Sequence, residues 1–260
     1  MDRRFKTVLA LVFVGALAAP AMAQKAAEKA VEPAVTFVPH RAVYDMRLEI
    51  ARSGSGLTDL QGRMVYELTG SACAGYTQTM RFVTKMSTQN GEQSLTDLRS
   101  KTWEDASAAK FTSETTQIKD QGAGEVTAGE ANRTPADVKI DLTRPAKKSF
   151  PLPAKTHFPM QHSTALIEAA RAGKTLLRAD IYDASEKGDK VYETSAVIGR
   201  KAAADANKQL RPVKNAEALD AVAAWPIAIS YFERGAEKKD ATPSYELSYL
   251  FFENGVSRRL

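Results

Sequence analysis

The sequence predicts a mainly β fold, an antiparallel meander that carries one main α-helix. Three observations predict it. At least eight segments alternate polar and apolar residues with a period of two, as strands with one wet face require. Breaks rich in glycine, serine or asparagine separate many of them, as turns between paired strands do. A helical apolar spacing with both a start and a stop signal occurs in residues 163–172.

The opening stretch, residues 38–86, is the clearest. In 41–51, Ala42, Tyr44, Met46, Leu48 and Ile50 share one parity, against Arg41, Asp45, Arg47 and Glu49. Ser53-Gly54-Ser55-Gly56 ends that run. Residues 62–69 oppose Met64, Tyr66 and Leu68 to Arg63 and Glu67. A glycine-bounded turn, 70–75, holds the one cysteine, Cys73, and a third run sets Tyr76, Met80, Phe82 and Met86 on one side. Parity places Tyr44, Met46, Tyr66 and Phe82 on a common face, because a one-residue slip would invert a whole strand.

Residues 94–105 and 110–119 read as two more strands around a turn at 105–109. Residues 119–135 read mostly as loop, with a short strand near 125–128, and 138–142 as another strand. Pro145, Pro151, Pro153 and Pro159 predict a connector outside the sheet, since proline donates nothing to a ladder. In the helix, Ser163 or Thr164 would cap the start and Gly173 would stop the end, with Arg171 and Lys174 at the negative pole. A lone helix in such a chain is expected to plug or cover one face of the sheet.

Residues 175–183 and 190–200 form a hairpin around 185–189, followed by a lysine- and alanine-rich loop or helical turn at 201–208. Residues 224–233 and 244–252 are aromatic-rich strands joined by a charged loop, 234–243. Asn254-Gly255 is a hairpin signal, and five residues follow it, so the last hairpin reads as unfinished.

Composition is that of a soluble globular protein, 43% hydrophobic and 26% charged over 260 residues. Arg3, Arg4 and Lys6, an apolar run, and Ala21-Met22-Ala23 form a signal-peptide pattern over residues 1–23. Residues 24–37 then read as a flexible lead-in and 38–260 as a single domain. After cleavage, no second hydrophobic span is expected to cross a membrane. Removing the leader's three cations and its one aspartate takes the formal charge from +5 to +3, which argues against nucleic acid as a partner. A single cysteine in an exported chain suggests a missing partner or an intermolecular bond. Its glycine-flanked loop predicts that Cys73 is at least partly exposed.

No catalytic signature stands out. His40, His157 and His162 lack ligand spacing, so no metal site is predicted, and no cofactor motif is present. There is no G-x-S-x-G nucleophile turn. His162 is expected to cap or pack at the helix start. Tyr44, Met46, Tyr66, Phe82, Trp225 and Tyr231 are the groove candidates, and Met64, Met80, Tyr245 and Tyr249 share their character. Either they are plain core or they line an apolar groove for a lipid-like ligand.

Ordered blocks of residues add a resemblance. His40-Arg41-Ala42-Val43-Tyr44-Asp45, Gly62-Arg63-Met64-Val65-Tyr66-Glu67 and Gly70-Ser71-Ala72-Cys73 come first. Ala165-Leu166-Ile167-Glu168-Ala169-Ala170-Arg171-Ala172-Gly173, Lys190-Val191-Tyr192-Glu193-Thr194 and Trp225-Pro226-Ile227-Ala228-Ile229-Ser230-Tyr231-Phe232 follow. Over about Val38 to Leu260 the chain resembles the EipB family of cell-envelope integrity proteins. The resemblance implies a periplasmic protein of Gram-negative bacteria, with a curved antiparallel sheet forming an open spiral barrel and a helix at its open side. It also implies no enzymatic activity, and a role in envelope integrity through an unidentified periplasmic protein or envelope component. Family members carry a C-terminal cysteine that bonds the cysteine matching Cys73. This chain ends at Leu260, before that residue and the last strand segment, so Cys73 is a disulfide candidate whose partner is absent. Three function classes follow: a structural or interaction protein, a carrier or sensor of an amphipathic ligand, and, least favoured, a hydrolase of envelope material.

Overall fold

Eight strands follow one another as an uninterrupted antiparallel meander: β1 (His40–Arg47), β2 (Leu57–Ser71), β3 (Gly75–Thr88), β4 (Gln93–Glu104), β5 (Lys110–Lys119), β6 (Glu125–Arg133), β7 (Asp137–Arg144) and β8 (Lys148–Pro153). A helix, α1 (Pro159–Arg171), separates them from a second sheet. That sheet holds β9 (Leu176–Ile181), β10 (Tyr192–Ile198), β11 (Ala224–Glu233), β12 (Tyr245–Phe252) and β13 (Ser257–Arg258), again in chain order. The computed structural model describes residues 33–203, 205–210, 212–234 and 242–260. All the elements belong to the unit Val35–Leu260. The expected leader, the first part of the lead-in and most of the charged loop 234–243 lie outside the described residues. The sheets are curved, mainly antiparallel and not closed into a barrel.

Alternation in the sequence becomes register in the sheet. Tyr44 pairs with Met64, Met64 with Phe82, Ala42 with Tyr66, and Met46 with Gly62. Paired residues share a face, so Tyr44, Met46, Tyr66 and Phe82 point to one side. That side meets the core lower on the strands, where Leu68 is 1% exposed and Tyr76 8%. Ile50 is a correction. β1 ends at Arg47, and Ile50, beyond it, is 82% exposed in spite of its parity.

Three other expectations change. β6 runs to Arg133, beyond the short strand expected near 125–128, because Ala131 packs at 0% exposure beside Phe111 and Ile140. The proline-rich segment joins the sheet instead of avoiding it: Pro151 pairs with Lys139 and Pro153 with Asp137. β8 is the terminal strand, so a missing donor there breaks no second ladder. The helix starts at Pro159, one turn before the expected Ser163 or Thr164 cap. Proline at a first helical position costs nothing, since its N–H would have no intrahelical partner. Ser163 lies inside the helix, with its hydroxyl donating to the Pro159 carbonyl at 3.0 Å. Gly173 does end the helix, at φ +69°.

The core has two main parts. One joins α1 (Leu166, Ile167, Ala170) to the inner face of the second sheet (Ala196, Ile227, Ile229) and to Leu68 and Tyr76 of the first. The other joins Phe111, Val138 and Ile140 to Phe158 and Tyr182, with Phe111 and Phe158 stacked at 5.1 Å. The lead-in contributes to the first part: Phe37 is 2% exposed and Val35 packs beside it. Cys73 is exposed in the β2–β3 turn. The turn is held at Gly75, φ +81°, where a Cβ would lie 2.4 Å from the Glu104 carbonyl oxygen.

Candidate functional site

An apolar cavity of about 200 Å³ opens where the edge strand β1 approaches β12 and β13. Tyr44, Met64, Tyr66 and Leu68 form the wall from the first sheet. Leu247, Tyr249 and Phe251 form the wall from the second, because β11–β12 pairing turns odd-numbered residues of β12 inward with Ile227 and Ile229. Met160 and Ser163 of α1, with Phe37, close one end, and Ser257 and Leu260 stand at the β13 side.

Backbone and phenol hydrogen bonds fix this geometry. Tyr44 donates its hydroxyl to the Ser257 carbonyl at 2.9 Å, joining the two sheets across the seam. Tyr66 donates to Gln78 Oε1 at 3.1 Å. The Phe37 N–H donates to the Tyr76 hydroxyl at 3.1 Å, and the Val38 N–H to the Asn254 carbonyl at 2.9 Å. Gly255 has φ +91°, and a Cβ there would fall 2.7 Å from Phe37 Cδ1, so the β12–β13 turn requires glycine. Burial pushes the Tyr44 phenol up to about 12, and raises Tyr66 and Tyr249 further. All three stay protonated, and Tyr44 and Tyr66 serve as hydrogen-bond donors on an apolar surface.

The structure divides the groove candidates. Tyr44 and Tyr66 line the cavity. Met46 and Phe82 lie on the same face but farther along the strands, half-buried and outside its lining. Trp225 and Tyr231, at 5% and 9% exposure, are core instead of groove, packed with Ile227 and Ile229. Tyr231 stacks on Tyr245 at 4.3 Å, with Tyr192 edge-on to both. Met64 and Tyr249, of like character, also line it, as do Phe37, Leu68, Met160, Leu247 and Phe251, which sequence reasoning did not single out as groove residues. Alternation marks Leu68, Leu247 and Phe251 as inward, but nothing local says that they converge.

A second polar cluster sits at the start of α1. The N-cap residue, Phe158, offers no side-chain acceptor. Glu104 of β4 takes over: its carboxylate accepts the Met160 and Gln161 N–H groups, both at 2.8 Å. Arg133 donates to the carbonyls of Ala108 and Thr156 and to Gln161 Oε1, and lies 4.8 Å from the Phe158 ring centre. Burial pushes Glu104 up to about 7, against the pull of those two amides and of Arg133. His162 is buried within the helix, 6.3 Å from His157 between ring centres, and burial holds it down at about 3. Among the described residues, no group of three or more His, Cys, Asp or Glu is placed to hold a metal.

Comparison with known proteins extends these observations. A family model described as EipB-like matches residues 31–260. The cell envelope integrity protein EipB of Brucella abortus (strain 2308) is 34% identical over 227 residues, 87% of this chain and 79% of that protein. A crystal structure from Brucella abortus, described as a beta-barrel-like protein of a domain of unknown function, superposes with a TM-score of 0.76 at 33% identity. It covers 86% of this chain and 91% of its own.

Proposed function

The chain belongs to the EipB-like family, and from that premise we propose that it is a non-catalytic periplasmic protein that maintains cell-envelope integrity by binding a protein or other envelope component. The observation that carries this reading is the relative named for envelope integrity, matched along 87% of the chain. The chemistry of the cavity agrees with binding. Its phenols are held neutral, its walls are aliphatic, thioether and aromatic, and the Tyr44 and Tyr66 hydroxyls are committed to hydrogen bonds within the fold. No helix among the described residues is long and apolar enough to cross a membrane. The test is deletion of the gene followed by complementation. A deletion strain should become sensitive to detergent and recover with the wild-type chain. In vivo crosslinking and mass spectrometry should then identify the component. A deletion strain with normal detergent tolerance would overturn the reading.

A second reading is a carrier or sensor of a lipid-like ligand, and the cavity favours it. At about 200 Å³ it lies below the range of roughly 300–1,000 Å³ typical of whole drug-sized ligands, so it would take the end of one acyl chain. Met64 and Met160 adapt to such irregular apolar shapes. Mass spectrometry of organic extracts should find a co-purifying amphiphile in the wild type, reduced in Met64→Arg. Equal recovery from both proteins would remove this reading.

A further inference from the structure

Charge is segregated across the first four strands. On the core-facing side of β1–β4, register leaves Glu104 as the one acidic or Lys/Arg side chain. All the others point outward. On β1 and β2 the outward cations are Arg41, Arg47 and Arg63. On β3 and β4 they are Arg81, Lys85, Arg99 and Lys101. Asp45, Asp59, Glu67 and Asp97 oppose them, so seven cations face four carboxylates, an excess of three.

Rows across the sheet show how the excess is laid out. One row reads Arg41, Glu67, Thr79, Lys101, and the next Val43, Val65, Arg81, Arg99. Then come Asp45, Arg63, Val83, Asp97, and Arg47, Gln61, Lys85, Leu95. Arg81 stands directly opposite Arg99, a repulsive placement in a sheet. A single carboxylate, Asp97, serves both, at 2.9 and 2.8 Å, and the two arginines keep 56% and 54% side-chain exposure. Among the described residues, Arg41, Arg47, Lys85 and Lys101 make no ion pair on this face. Val43 stands among these charges at 55% exposure, and Leu95 at 41%. Farther along the sheet three cations pair one to one, as Lys110–Glu130, Arg144–Glu114 and Lys139–Asp141.

We propose that the outer face of β1–β4 docks on an anionic phospholipid surface. Its cations meet lipid phosphates, and Val43 and Leu95 meet the apolar edge of the headgroup layer. Charge complementarity selects this partner, because an excess of exposed cations beside exposed aliphatics matches a surface that is anionic outside and apolar beneath. The cavity lies on the opposite face of β1 and β2, so it stays open to its own ligand. This docking draws on the envelope reading only for its compartment, and vesicle binding succeeds or fails whether or not a deletion strain is envelope-defective.

The experiment is co-sedimentation of the full chain with phosphatidylcholine vesicles, with and without phosphatidylglycerol, at about 0.1 M salt. Binding is expected only to the anionic vesicles, and is expected to be lost at about 0.5 M salt. The Arg47→Ser/Lys85→Ser/Lys101→Ser variant should bind at least about ten-fold more weakly, with an unchanged melting temperature. A variant losing three cations elsewhere, Lys110→Ser/Lys139→Ser/Lys148→Ser, should stay within about two-fold of the wild type. Equal weakening by both triple variants, equal binding to neutral vesicles, or no binding would each overturn the proposal. So would full competition by millimolar inorganic phosphate, which would assign the face to a soluble anion.

Discussion

Tyr44 does two things at once, lining the cavity and tying β1 to β13. Tyr44→Phe keeps the ring and removes the donor to the Ser257 carbonyl, so it should cost about 1 kcal/mol in a urea melt. Gly255→Ala should cost more, about 2–3 kcal/mol, since it adds a positive-φ penalty to a clash with the base of the Phe37 ring. The same melt measures it, and an unchanged midpoint would mean that Phe37 is free to move aside. Parity made Tyr44 and Tyr66 legible in the sequence as inward residues. It was silent on position along the strand. Met46 and Phe82 share their face but lie beyond the cavity walls that β12 provides. Trp225 and Tyr231 carry the same inward signal yet lie in the packed middle of the second sheet, because alternation separates core from solvent and not core from groove.

At the scale of the element, α1 shows a cap supplied from elsewhere. The sequence offered Ser163 and Thr164, but Pro159 opens the helix and Glu104, more than fifty residues earlier, holds its first amides. Local signals cannot reveal a long-range cap. The pH dependence follows from two opposed groups. Glu104 rises from 4.5 to about 7 on folding, so its contribution is fully present below pH 4.5 and is lost as pH rises through about 7. His162 falls from 6.5 to about 3, so its contribution is present above pH 6.5 and is lost as pH falls toward 3. Between 4.5 and 6.5 the two offset each other. Glu104→Gln removes one side of that balance and should lose stability on acidification from pH 6.5 to 4.5 more steeply than the wild type. Urea melts across that range test it, and parallel profiles would show that Glu104 does not titrate there. β8 teaches a related lesson: its prolines argued against a strand, but a terminal strand needs donors on one side only.

For the whole molecule, the meander was legible because its strands alternate and its turns are marked. The basic face was not. Its cations come from four strands, at most two per strand among alternating neighbours, so no window of sequence is basic, and only pairing assembles them. The exposure of Cys73 agrees with the loop argument. It predicts disulfide-linked dimers on a non-reducing gel after mild oxidation, absent in Cys73→Ser. A wholly monomeric oxidised sample would show the thiol to be inert.

The unbroken chain order of the strands has a kinetic side. Every hydrogen-bonded neighbour within a sheet is also the next strand in the chain, so each hairpin can zip onto the last as the polypeptide emerges N-terminus first. The bond from the Val38 N–H to the Asn254 carbonyl is different. It joins residues more than two hundred apart in the chain, a non-local contact that no hairpin supplies. Vectorial folding would therefore run locally through thirteen strands and finish with one slow clasp, leaving the seam open until last.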